Sequence, residues 1–254
     1  MTGAGFAIDA LPERADLYRK THAIVAIDVF RSMTLIVTGL ARGRQVFPVG
    51  TLGEAVELGQ GLDHPLLAGE QNGIQPPQCE IDNSPAELER RSDMRPLVLV
   101  SSAGTVLLAR SVGASAVYVS CFRNLSATVG AIIGRHPRVA LIGAGTRGEA
   151  RIEDQMLAAR MGQRLLQAGY RAENARTRAE LDRYAAAEDQ RLASGDSAAF
   201  LRKTGRHDDI DFVLTHIDDV DHAVRFDGTQ AVLLDTDVVT ESALSGAADR
   251  RPAR

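Results

Sequence analysis

Eight short apolar runs punctuate this 254-residue chain, at 23–29, 45–49, 65–69, 97–101, 116–120, 138–142, 222–226 and 231–235. Several lead through a turn of small polar residues into a stretch whose apolar side chains fall three and four apart: residues 33–41, 104–113, 125–133 and 152–168, each ending near glycine. Strand, turn and helix in that order are the pattern of a mostly parallel sheet covered by helices on both faces, and runs apolar throughout suit strands buried on both sides. The sequence therefore predicts an α/β fold with one broad sheet. Residues from about 171 to 210 read as helical and polar, a second subdomain at most, with a soft break at Ser194-Gly195-Asp196. The predicted organisation is a single domain over 1–239 and a flexible tail over 240–254, where small and charged residues dominate.

Composition excludes several classes. With 44% apolar residues and a formal charge of −4, nothing recommends a nucleic acid polymer as partner. There is no basic segment leading into an apolar stretch and no long uninterrupted apolar window, so neither export nor a membrane partner is expected and a cytoplasmic location is. The two cysteines, Cys79 and Cys121, are too few for a disulfide framework and too isolated for a zinc site. An open sheet with two edges also fits a homodimer.

What fills the turns after the strands carries the functional signal. The run at 23–29 ends in Asp28, Arg31 and Ser32; that at 65–69 in Glu70-Gln71-Asn72-Gly73; that at 97–101 in Ser101, Ser102, Gly104 and Thr105; that at 116–120 in Arg123 and Asn124. The run at 138–142 opens into Gly143-x-Gly145-x-x-Gly148, the spacing of a dinucleotide-binding turn, but Glu153 and Asp154 follow within a helical turn and suit a cation better than a pyrophosphate. Ligands of α/β sheets bind beyond the carboxyl ends of the strands, so these turns are expected to converge. Arginines, hydroxyls and helix N-termini suit a phosphoryl group, and Asp28, Glu70, Glu153 and Asp154 are hard oxygen ligands of the kind Mg²⁺ prefers. Each also has a structural reading: Asp28 as a helix cap, Asn83-Ser84-Pro85 as an ordinary helix start, and Glu153 with Asp154 as complements to a helix dipole.

The order of these pieces resembles a known family. IDVFRSM (Asp28, Arg31), LLAGEQNG (Glu70), EIDNSPAEL (Asn83, Ser84), VSSAGT (Ser101, Ser102, Gly104, Thr105), VSCFRN (Asn124), IGAGTRGEARIED (Gly145, Thr146, Glu153, Asp154) and the later FLRKTGRHDDIDF (Gly205, Asp209) are similar to the motifs of the 2-phosphosulfolactate phosphatase (ComB-like) family, over about residues 20–227. The resemblance implies a three-layer α/β/α fold, Mg²⁺ dependence and hydrolysis of a small phosphorylated metabolite. One loop departs from the family pattern: Ala103 stands where relatives typically carry asparagine, and Val106 where they carry arginine. Arg123 and Arg147, in neighbouring turns, are the candidates to replace that lost charge.

On this reading Asp28, Arg31 and Glu70 are the candidate catalytic residues. Asp28, Glu70, Glu153 and Asp154 are the pool of Mg²⁺ ligands, and Asp28 is alternatively a nucleophile. Arg31 and the N–H groups of the 143–148 loop are expected to hold the phosphate. A nicotinamide or flavin oxidoreductase lacks the acidic residue at the end of a second strand, and a serine or cysteine hydrolase lacks a nucleophile elbow. The remaining alternatives are a relative redirected to a sugar or nucleotide phosphate, or a phosphometabolite-binding protein without catalysis.

Overall fold

A computed structural model describes residues 3–234, so the tail read at 240–254 lies outside the described residues. In chain order the strands are β1 (Gly5–Ala10), β2 (Ala23–Ile27), β3 (Val46–Val49), β4 (Leu66–Gly69), β5 (Leu97–Val100), β6 (Val117–Ser120), β7 (Arg138–Gly143), β8 (Arg171–Ala172), β9 (Val224–Phe226) and β10 (Ala231–Leu233). The helices are α1 (Ala15–Tyr18), α2 (Ser32–Ala41), α3 (Leu52–Gln60), α4 (Pro85–Glu89), α5 (Gly104–Ser111), α6 (Leu125–Ile132), α7 (Ile152–Gln167), α8 (Ala175–Tyr184), α9 (Asp196–Lys203) and α10 (His207–Thr215). The eight apolar runs all contain strands. Two strands were not anticipated, β1 and β8, and the latter falls where the sequence reads as helical. The break at Gly195 is real: a 3-10 segment over Asp189–Ser194 ends there and α9 begins.

The ten strands form one mixed sheet in the order β4-β5-β3-β10-β9-β6-β2-β7-β1-β8. Two parallel sets, β4-β5-β3 and β6-β2-β7-β1-β8, are joined by the antiparallel β9–β10 hairpin, which is antiparallel to its neighbours on either side. Side chains of β2 alternate between two cores: Val25 and Ile27 pack with Phe6, Tyr118, Leu141 and α7, whereas Ile24 and Ala26 pack with α2 and α5. That period of two, with both faces buried, is why these strands read as unbroken apolar runs.

The core holding α2 and α5 draws apolar residues from every strand except β1 and β8. The sheet therefore curls around these helices, as accumulated strand twist favours. Curling matters for function, because tracing the ladder through the hairpin reverses strand sense between the two sets. Only a strongly coiled sheet brings the end of β2 to the ends of β4 and β5, and Ser32 Oγ lies 2.9 Å from Ser101 Oγ across that junction. Helices α6, α7 and α8 cover the opposite face, and α3 covers Phe47, Val98 and Val100, completing a three-layer α/β/α architecture. No described helix is long and apolar enough to cross a membrane.

Candidate active site

At this junction a cavity of about 440 Å³ is bounded by Asp28 after β2, Glu70 after β4, Ser102, Ala103 and Val106 after β5, and Thr146 and Arg147 after β7, together with Arg31, Ser32 and Asn83. Hydrogen bonds tie its walls together. Glu70 accepts from Gly73 N at 2.6 Å, Ser102 N at 2.7 Å and Ser102 Oγ at 3.1 Å, so its carboxylate holds two loops in register. Asn83 Nδ2 donates to Ser32 Oγ at 3.2 Å, while its own Oδ1 is buried without a partner. Gly104 opens α5 directly against Asp28: a Cβ there would overlap Asp28 Oδ2 and come within 2.7 Å of Ser32 Cβ and Oγ. Only glycine permits that approach.

The electrostatics are those of a crowded acidic pocket. Burial pushes the Asp28 carboxyl up to about 7; a hydrogen bond from Ser32 opposes the rise, and the charges of Glu70 and Glu153 add to it. Asp154 is raised well above the carboxylate range by burial and then by Asp28 and Glu153, although it accepts from Val29 N at 2.9 Å and Gly145 N at 3.1 Å. Burial also raises Glu153, whose Oε2 has no partner. The four expected metal carboxylates thus divide into a pair on the cavity wall, Asp28 and Glu70, and a pair outside its lining, Glu153 and Asp154. Among the described residues no three acidic, histidine or cysteine side chains converge as a ready-made ion cage.

Arg31 is buried and bridges Asp82 at 3.0 Å and Asp209 at 2.8 Å, both through Nη1. Burial works against its charge, but the two carboxylates hold its pKa above the usual value. Because both contacts use one nitrogen, the rest of the guanidinium fork is left to the cavity that Arg31 lines.

Several expected ligand residues lie off the cavity lining, with polar atoms engaged by neighbouring protein groups. Arg123 points away from the cavity, bidentate on Asp219 at 3.0 and 2.6 Å and bonded to Thr38 Oγ1 at 2.9 Å; of the two candidates for the missing charge, Arg147 alone lines the cavity. Asn124 braces its own turn, accepting from Cys121 N and donating to Val119 O. Ser84 caps α4 through Glu87 N and donates to Asp209, and Ser101 and Thr105 exchange bonds with each other. The 143–148 loop is a tight turn in which some amides are taken, whereas among the described residues the amides of Arg147 and Gly148, both lining the cavity, have no partner. Ala144 N donates to Ile27 O, Gly145 N to Asp154, and Thr146 N and Glu149 N pair with each other's carbonyls. The positive φ of 62° at Gly145 serves the turn. Thr146 and Arg147 reach the cavity by their side of that turn, whereas Gly145 does not line it.

Other wall residues carry no role in the sequence reading: Leu11 follows the unanticipated β1, and Phe30, Arg151, Phe200 and Leu201 lie within the quoted motifs without being singled out there. Asp82, adjacent to Asn83, was also passed over as a partner of Arg31.

Comparison with known proteins agrees with the motif order. The chain is 32% identical over 138 residues to a probable 2-phosphosulfolactate phosphatase of Pseudothermotoga lettingae, covering 54% of this chain and 59% of that protein. It is 32% identical over 133 residues to the protein of the same name from Carboxydothermus hydrogenoformans, covering 52% and 56%. For the Symbiobacterium thermophilum protein, also so named, the values are 34% over 140 residues, covering 53% and 59%. The chain thus spans little more than half the length of these curated relatives. A family model described as 2-phosphosulpholactate phosphatase matches residues 9–225, a stretch that takes in β2, β4, β5, β7 and every residue of the cavity wall described above. With that match running from the first strand to the last hairpin, the chain belongs to the 2-phosphosulpholactate phosphatase family.

Proposed function

We propose that this cavity is the site of a Mg²⁺-dependent hydrolase of phosphate monoesters. The observation that carries the proposal is the meeting of Asp28, Arg31 and Glu70 on one cavity wall, from turns far apart in sequence. Asp28 and Glu70 would hold the ion. Two carboxylates with substrate oxygens and water completing the sphere is how Mg²⁺ is commonly bound, and the Asp28 carboxyl, raised first by burial and then by Glu70 and Glu153, is one whose ionised form a cation would stabilise. When bound, Mg²⁺ supplies neutralisation of the phosphate and acidification of a water molecule.

The chain's own residues do the rest. Arg31, held rigidly by Asp82 and Asp209, presents its free nitrogens to phosphate oxygens as their charge shifts during transfer. Glu70 fixes the 70–73 and 102 turns around the ligand, and Asn83 Oδ1, buried and unpartnered, is an acceptor for water or a ligand hydroxyl. The reaction is assigned to the cytoplasm, in keeping with two free, buried cysteines.

The natural first substrate is 2-phosphosulfolactate, named for the relatives. A specific observation favours a redirected substrate: Ala103 and Val106, which depart from the family pattern, both line the cavity. Phosphate release should require Mg²⁺ and fall about 100-fold or more in Asp28→Asn and Glu70→Gln, since the bound ion supplies several kcal/mol of charge stabilisation. Retained turnover in both variants would overturn the proposal.

A further inference from the structure

Of the acids around the cavity, Glu153 alone among the described residues has a buried oxygen without a partner, Oε2, and it does not line the cavity. Burying a carboxylate is costly unless its oxygens are met, so the group that faces it is informative. That group is the start of α9. Ser197 is the side chain that hydrogen-bonds to Glu153, and a Cβ on the buried Gly195 would stand 3.0 Å from Oε2. The first turn of a helix carries free N–H groups and partial positive charge, which suit a carboxylate held beneath it.

Helix α9 is itself a wall of the site. Asp196, Ser197, Phe200 and Leu201 all line the cavity. Its other attachments are slight. Ala198 and Leu201 pack with Ile210 in a small cluster apart from the cores flanking the sheet, and Arg151 meets Asp196 at 3.4 Å although Asp196 is 86% exposed. Further along α9 the exposed Phe200 lies over Gly73, where a Cβ would stand 2.6 Å from Phe200 Cζ, and Gly73 N is the donor held by Glu70. The helix thus spans from the first turn of α7 to the turn that Glu70 fixes, and its buried anchorage is the end on Glu153.

We infer that Glu153 is a positioning residue of this site: it seats the start of α9 so that Ser197, Phe200 and Leu201 stand against the ligand, and it does so as a seat and not as a ligand of the ion. The inference rests on the hydrolase reading above. Removing the carboxylate takes away both the bond from Ser197 and the volume under Gly195. Contacts made by α9 in the bound and transition states then weaken together, a loss that raises KM and spares kcat.

Phosphate release with Mg²⁺ from 2-phosphosulfolactate, glucose 6-phosphate and AMP, together with hydrogen exchange of the ligand-free protein, tests it. In Glu153→Ala, KM for the substrate used best should rise at least tenfold with kcat within threefold. The amides of residues 199–203 should exchange at least tenfold faster while those of α3 are unmoved. Glu153→Gln, which keeps the volume and an acceptor for Ser197, should return KM and exchange to within threefold of wild type. A 100-fold loss of kcat in both variants would make Glu153 a metal ligand; an unmoved KM, or equal acceleration in α3, would make it ordinary packing; failure of Glu153→Gln to rescue would mean that volume and the Ser197 bond do not suffice. Each overturns the inference. Release from none of the three compounds by wild type overturns the hydrolase reading instead, and the exchange of the two variants then decides the seat by itself.

Discussion

Replacing Asp28 by asparagine should make the metal-free protein more stable, by an amount that depends on pH. The Asp28 carboxyl is raised from its usual 3.8 to about 7, chiefly by burial. At about 1.4 kcal/mol per pH unit this is a ceiling of about 4 kcal/mol. The sign follows from proton binding: between these values the folded chain holds a proton that the unfolded chain releases, so stability falls as pH rises from about 4 to 7 and stays low above. Asparagine carries no such proton and keeps an acceptor oxygen for Ser32. The stability of Asp28→Asn relative to wild type should therefore grow by about 2–4 kcal/mol between pH 4 and 7, read by equilibrium urea unfolding in EDTA. Added Mg²⁺ should stabilise wild type and not the variant, since linkage requires a site that binds. A difference that is flat with pH, or that shrinks toward neutrality, would refute the assignment of Asp28 as a carboxyl held up by burial.

Three further outcomes follow from the packing. Asp209→Ala leaves the Arg31 guanidinium buried with one partner fewer and should cost about 3–5 kcal/mol in urea unfolding; a loss under 1 kcal/mol would show that Arg31 does not depend on it. Gly104→Ala drives a methyl group into Asp28 and Ser32, so kcat for phosphate release should fall about 100-fold from misplacement alone, and an unchanged kcat would mean that Asp28 is not at the reacting centre. Arg123→Met removes the bonds to Asp219 and Thr38 and should destabilise by about 1–3 kcal/mol while KM stays within twofold, whereas a large rise in KM would return Arg123 to the site.

The layered fold was legible because strands buried on both faces, such as β2 and β7, leave continuous runs of branched and aliphatic residues. Strand β1 escaped notice for a physical reason: GFAIDA is diluted by small residues, and its buried aspartate is met by Arg176 at 2.7 Å, Ala10 N at 2.8 Å and Tyr18 at 3.2 Å. Two-residue β8 has no periodicity to detect. At the site, residue types at strand ends pointed to Asp28, Arg31 and Glu70, which the architecture brings to one cavity. Direction was hidden. A sequence shows that Gly145 has an N–H, not that Asp154 takes it, and it cannot show that Arg123 swings toward Asp219 while Arg147 lines the cavity.

The β9–β10 hairpin has a consequence for the nascent chain. Asp28 leaves the ribosome early, yet β2 gains its neighbours β6 and β7 only after residue 143, and the two halves of the sheet stay unjoined until residues 224–233 have been made. A polypeptide stalled between Leu201 and that point carries the cavity-lining side chains of both strand sets without the hairpin that joins them into one wall.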